Sequence, residues 1–322
     1  MVPARTLNIA GILLACMMAL TGCQRAAPPP TADQAAREEA AAKAYAREQF
    51  MWRGRRVIEL SRPDGWASLI GLHWLDPGAH RVGSARDNGI RLMMGPAHLG
   101  VFTVKDGKAR FVADTAVTLD GKPTRSGALR SDADEGGPSV LAFDDGKGLA
   151  SVIERGGRLA LRVKHADADS RVNFTGLDYW PGGRGWQVQA HFIAHPAGKT
   201  LPIANIIGIT DNIANPGVVE FQRGDKLYRL EALDTGGEGL FLIFADRTSG
   251  HGSYGAGRYL DTPKPDAEGK LLLDFNQAYN PPCAFTPFAT CPLPPNENRL
   301  DLAVEAGERE YRKPATSTKD NQ

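Results

Sequence analysis

The chain has 322 residues, 42% hydrophobic and 23% charged, with a formal net charge of +1. Such a composition is globular and sized for about two domains, and the even charge balance, with neither basic stripe nor acidic tail, excludes nucleic acid and strongly acidic partners as ordinary ligands. Its 36 glycines and 22 prolines favour short strands joined by turns over helix bundles.

At the N-terminus, Met1 to Arg5 is positively charged, 7–20 is an apolar run too short to span a bilayer comfortably, and Leu20-Thr21-Gly22-Cys23 follows directly. This arrangement resembles a bacterial lipoprotein signal, with an ordinary secretory signal and a chance cysteine as the alternative. The resemblance implies that 1–22 is removed and that Cys23 is acylated on thiol and amine. Several chains on one residue hold a protein to the lipid bilayer where one is marginal. Gln24, in place of an aspartate, resembles lipoproteins sent to the outer membrane, so the expected location is the periplasmic face of the cell envelope. Residues 23–55 then comprise the lipidated cysteine, a small-residue and proline linker at 26–30, and a stalk helix. That helix starts at a Thr31 or Asp33 cap, is rich in Ala, Glu, Lys and Arg, and is expected to end at Gly54.

From 56 to 165 short apolar runs alternate with turn signals. Strands are predicted at 80–82, 90–93, 100–105, 109–113, 116–119, 139–143, 150–154 and 159–164, with turns at Asp106-Gly107, Asp120-Gly121, Asp145-Gly146 and Gly156-Gly157. The run Gly83-Ser84-Ala85-Arg86-Asp87-Asn88-Gly89-Ile90-Arg91-Leu92, then His98, Asp114 and Asp120-Gly121-Lys122, is similar to a forkhead-associated β-sandwich. The resemblance implies a fold only. Where that family places its phosphate-binding donors this chain has Ser84, Gly95 and Thr115-Ala116, so phosphopeptide reading is not expected.

Residues 166–313 form a second β-rich block, with strands predicted at 186–194, 203–209, 217–223, 226–232, 239–245, 270–275 and 300–304 and a polar tail, 314–322, expected to be disordered. The predicted fold class is thus mainly β, two sandwich- or barrel-like lobes preceded by a signal and one helix. Between Asp274 and Arg299 lies the least regular stretch, with Pro281, Pro282, Pro287, Pro292, Pro294 and Pro295 among Phe275, Tyr279, Phe285 and Phe288. So many prolines exclude helix or central strand, and so many aromatics argue against disorder. An ordered functional loop is expected. It holds Cys283 and Cys291; in an oxidising compartment a disulfide is the expectation, worth about 2–3 kcal/mol for so small a ring, with a catalytic thiol or metal pair as the alternative. The order of GWASLIGLHWL (65–75), SYGAGRYLD (253–261) and the 273–300 segment resembles the family known as domain of unknown function 1684, which implies kinship without a chemistry.

Chemical motifs are few. Gly250 to Gly255 spells a dinucleotide fingerprint, but Tyr259 to Pro263 leave no room for the helix it must open. Ser253 lacks the first glycine of a nucleophile elbow. His191 and His195 share a strand face about 13 Å apart, too far for one metal, and His73 and His98 read as packing residues. No metal site and no cofactor is expected, and no catalytic residue can be assigned. A pocket near the loop is expected from Asp246, His251, Tyr254, Arg258, Asp274, Asn276, Tyr279, Asn280, Glu297 and Asn298. There Arg258 offers its fork to a carboxylate or phosphate, or else pins the loop through Asp261 or Asp274. The functional expectation is a module binding a small-molecule or extended ligand. A metal-independent hydrolase using Asp274, Glu297, His251 or Ser253, and a structural envelope protein, are the alternatives.

Overall fold

The computed structural model describes residues 31–313 together with Met1. The expected signal, Cys23, the 26–30 linker and the 314–322 tail lie outside the described residues. By compactness the chain divides between Lys43 and Ala44, and both β lobes belong to the second unit.

Helix α1 spans Ala32–Ser61. Thr31 and Gln34 bond reciprocally at its start, Gln34 N–H to Thr31 Oγ1 at 3.2 Å and Thr31 N–H to Gln34 Oε1 at 2.9 Å, which is a capping box. The helix runs on past Gly54, contrary to expectation. A Cβ at Gly54 would meet nothing within 4 Å, and beyond it Leu60 is buried while Arg56 is anchored to the second lobe. Tertiary contact outweighs the modest helix penalty of one glycine, about 1 kcal/mol. From Tyr45 onward α1 is therefore packed rather than free as a stalk, with Tyr45 and Gln49 donating to Asp274.

The first lobe has strands β1 (Leu69–Leu75), β2 (Gly78–Gly83), β3 (Ile90–Arg91), β4 (Gly100–Lys105), β5 (Lys108–Leu119), β6 (Lys122–Leu129), β7 (Leu141–Phe143), β8 (Gly148–Arg155) and β9 (Arg158–His165). They form one curled, nearly closed sheet in the order β1-β9-β8-β7-β5-β4-β2-β3, with β6 added on β5. Inward residues alternate with outward ones, as in β5, and pack Phe102, Phe111, Phe143, Leu141, Val152 and Leu161 inside. The Asp-Gly turns behave as expected: Asp106 and Gly107 take φ of 51° and 70°, Asp120 and Gly121 48° and 79°, the left-handed pair that tight hairpins require. The lobe is a barrel-like sheet rather than two facing sheets. Ser84 donates its hydroxyl to the carbonyl of Gly95 at 2.9 Å.

A short helix, α2 (Asp169–Val172), leads into the second lobe, made of β10 (Gln187–Ala194), β11 (Thr200–Ala204), β12 (Thr210–Arg223), β13 (Lys226–Asp234), β14 (Gly239–Phe244), β15 (Arg258–Pro263) and β16 (Lys270–Asp274). Their order is β15-β14-β13-β12-β10-β16, with β11 on β12. The sheet's ends approach each other, Thr262 Oγ1 donating to the Leu272 carbonyl at 3.2 Å. Phe275, the first loop residue after β16, plugs this barrel against Trp186, Phe221 and Phe244.

The strand expected at 300–304 does not form. Leu300 and Val304 are buried, as an apolar run predicts, but the chain bends so that the carbonyls of Val304, Ala306 and Glu308 all face the Arg258 guanidinium. Carbonyls converging on one side chain cannot also run along a ladder.

Candidate functional site

The outward faces of the two lobes meet. On β9, Leu161 and Val163 point into the first barrel, so Arg162 and Lys164 point out; on β15, Arg258 and Leu260 are buried inward, which turns Tyr259 and Asp261 the other way. Helix α1 and the turn after it close a third side. Gly65 permits that turn, since a Cβ there would lie 2.5 Å from the carbonyl oxygens of Glu59 and Leu60. Together these elements line an open cavity of about 560 Å³, within the range of small-molecule sites.

Aromatic rings form its apolar wall: Trp52, Trp66, Phe241, Tyr259 and Tyr279. Phe241 and Tyr259 meet edge to face at 4.9 Å, and Tyr259 and Tyr279 at 5.7 Å. The backbones of Tyr259 and Tyr279 exchange two hydrogen bonds of 2.8 Å, so the proline loop extends β15 by one bridge and thereby places its tyrosine. Arg162 and Lys164 lie over the Trp66 ring at 5.3 and 5.4 Å, and Arg56 over Tyr279 at 4.6 Å, distances at which a ring face attracts a cation.

The charged groups are held differently from one another. Arg56 donates Nε to Glu308 Oε1 at 2.8 Å and Nη2 to the Asn280 carbonyl at 2.7 Å. Arg62 forms a bidentate pair with Asp64 at 2.9 and 3.0 Å, which holds the Asp64 carboxyl below its ordinary value. Lys164 donates to the Asp64 backbone carbonyl at 2.6 Å and has no carboxylate partner among the described residues. Burial pushes its ammonium below the usual lysine range, with neighbouring Arg162 adding to the fall. Among the described residues Asp261 accepts only the Tyr279 hydroxyl, at 2.9 Å. Its carboxyl is raised by crowding from the cavity walls, against the pull of Tyr279 and Arg56, although water still reaches it; a group on a concave wall is both crowded and wet.

Of the residues expected at a site, only Tyr279 lines this cavity. Arg258 and Asp246 pair at 2.8 Å with neither side chain exposed, and the rest of the fork goes to the Val304, Ala306 and Glu308 carbonyls. The Arg–Asp alternative thus describes Arg258, but its partner is Asp246 and not Asp261 or Asp274. Asn280 donates its amide N–H to Glu308 and its side chain to the Arg309 carbonyl, each at 2.7 Å. Asn298 ties Glu231 on β13 to Ile243 on β14, and Asn276 bonds both ways with the Gly183 backbone. Asp274 holds Tyr45, Gln49 and Gln187. His251 and Glu297 are exposed, and Tyr254 is half-buried in a cluster with Leu60 and Phe285. Ser253 is fully buried, its Oγ within 2.9 Å of Trp180 Nε1 and 2.7 Å of Thr248 Oγ1. His195 bonds Glu231 at 2.8 Å.

These polar residues nevertheless bear on the cavity. Glu308 accepts from Arg56 and Asn280 through its carboxylate and from Arg258 through its carbonyl. One buried network therefore runs from Asp246 through Arg258 and Glu308 to Arg56 on the cavity wall. Sequence reasoning missed Trp52, Arg56, Trp66, Phe241 and Lys164. Trp66 stood within the 65–75 string; Lys164 carried no local signal. Among the described residues no group of three or more His, Cys, Asp or Glu side chains gathers as metal ligands do. Cys283 and Cys291 are adjacent, with the Cys283 N–H 3.0 Å from Cys291 Sγ, and both are thiols in this structure.

No curated protein matches this chain. An uncharacterized protein of Haloarcula marismortui, known from a solution NMR structure, is 32% identical to it over 43% of this chain and 78% of its own, with a TM-score of 0.36. Residues 172–309 match the family described as "Protein of unknown function (DUF1684)"; that span runs from the end of α2 to Arg309 and supplies Phe241, Tyr259, Asp261, Tyr279 and Pro282 to the cavity. Through this span the chain belongs to the DUF1684 family.

Proposed function

We propose that the protein is a ligand-binding module of the bacterial cell envelope, held to the outer membrane by acylated Cys23 and binding its ligand in the cavity between the lobes. The observation behind the binding reading is the cavity itself: about 560 Å³, walled by five aromatic side chains, with Lys164 and Asp261 lacking charged partners among the described residues. Apolar walls with a few convergent polar groups are the ordinary make-up of a small-molecule site. Ser253, the serine on which hydrolysis would rest, is buried and already bonded, which favours binding over turnover. In a secreted mature chain carrying Cys23→Ala, the native mass should exceed the denatured mass by one defined increment, and Trp66→Ala should abolish that increment while the protein still melts cooperatively. Equal native and denatured masses in the parent chain would overturn the reading.

The envelope placement rests on the N-terminal resemblance, and with it goes a Cys283–Cys291 disulfide, which the adjacency of the two residues supports. One experiment addresses both. Peptide masses from membrane-extracted protein should show acyl groups on an N-terminal Cys23 and a 283–291 peptide two hydrogens short that resists alkylation until reduced. An unacylated Cys23 would remove the anchor; free alkylation of both loop cysteines would remove the bridge.

A further inference from the structure

Six charged side chains line the cavity, and their signs balance: Arg56, Arg62 and Lys164 against Glu59, Asp64 and Asp261. A site for a plain anion or a plain cation would carry an excess of the opposite charge. Half of these charges are also committed, Arg56 to Glu308, and Arg62 and Asp64 to each other. Of the other three, Glu59 stands on α1, and Lys164 and Asp261 are the two that the lobes themselves supply. Lys164 gives one of its three donors to a backbone carbonyl, and Asp261 has one hydroxyl for its two oxygens. They come from different lobes, β9 and β15, so they approach the cavity from separate walls. Trp66 and Trp52 line it with them, as does the Phe241–Tyr259–Tyr279 aromatic run.

Resting on the binding reading above, we propose that the cavity takes a small zwitterion with a flat apolar body, its anionic end on Lys164, its cationic end on Asp261 and its body against the aromatic wall. Each end supplies what its wall lacks. Lys164 is crowded, beside Arg162, whose buried Nε has no partner among the described residues; an anion relieves both, because a partly desolvated charge gains most from an opposite one. Asp261 is the only lining carboxylate on the second lobe, and an ammonium would meet it as the Tyr279 hydroxyl does now.

L-phenylalanine, 2-phenylethylamine and 3-phenylpropionate share one ring and differ in the charges they carry, so titrating the mature chain with each by calorimetry reads the two ends separately. Phenylalanine should bind at least about tenfold more tightly than either single-charge probe, since a charge-assisted hydrogen bond is lost each time. Lys164→Met should erase its advantage over phenylethylamine and leave phenylethylamine binding unchanged. Asp261→Asn should erase its advantage over phenylpropionate and leave phenylpropionate binding unchanged. Both variants should melt near the parent temperature, which separates lost recognition from lost fold. Equal affinities for the three probes, a stronger single-charge probe, or a phenylalanine preference that survives both substitutions would overturn the proposal. A retained molecule that depends on Trp66 but carries only one sign of charge would also overturn it and leave the binding reading standing. No retained molecule and no probe binding would defeat both.

Discussion

Replacing Arg258 with alanine should cost about 3–5 kcal/mol of folding stability, the usual penalty for leaving one partner of a buried ion pair alone. Asp246 would be left without its partner in a site with no exposed side-chain surface, and the Val304 and Ala306 carbonyls would lose their donor. Burial works against the charge of Arg258 and Asp246 sustains it, so neither group is at ease without the other. Since small domains are stable by about 5–15 kcal/mol in total, urea denaturation should show a large fall in midpoint. A loss under about 1 kcal/mol would mean that the pair does not organise the 304–308 segment. Arg258→Met combined with Asp246→Leu should recover part of the loss, because replacing both members of a buried pair is far milder than removing one. Arg258 is consequently a poor reporter of ligand binding: its variants would lose binding by losing the loop.

Glu308→Ala should be of similar size, about 3–5 kcal/mol, and should also open the cavity. Arg56 is only 12% exposed beside a Glu308 side chain that is 0% exposed, so removing the carboxylate strands the guanidinium and leaves the Asn280 N–H without an acceptor. Arg56 lies over Tyr279, so its release should loosen the wall and weaken whatever binds there. Pairing Glu308→Ala with Arg56→Met should destabilise by clearly less than the sum of the single changes; strict additivity would show that the two are not coupled. A pH signature accompanies this. Burial raises the Glu308 carboxyl above its ordinary value, Arg56 opposing, so the unfolded chain ionises first. Stability should fall as pH rises from the ordinary glutamate range through the raised value, and Glu308→Gln should remove that slope.

Much of the fold was legible because it is written in local rules. Alternating apolar residues gave most strands, and Asp106-Gly107 and Asp120-Gly121 fixed hairpins through left-handed φ angles. Strands β6, β1 and β15 escaped, the first two for opposite reasons. β6, mostly exposed, has no apolar face and is held by pairing with β5. β1 is buried along its first three residues without alternation. The extension of α1 past Gly54 depends on Leu60 and Arg56 finding partners in the second lobe, which no helix propensity contains.

By itself the sequence determined two β lobes, a capped helix, an ordered proline loop and the set of polar residues around it. Only the tertiary structure decided what those polar residues are for. An outward charge on a strand reads the same whether it meets water or another lobe, so Lys164 looks like ordinary surface and Asp261 like no more than a partner for Arg258. Arg258, beside an aromatic and a carboxylate, looks like a binding group. Strand register reverses these assignments: a side chain's face alternates with every residue, and β15 turns Arg258 into the core while turning Asp261 out toward the seam. Where the lobes meet, that alternation converts two solvent faces into the walls of one cavity, a consequence of packing that no single stretch of sequence carries.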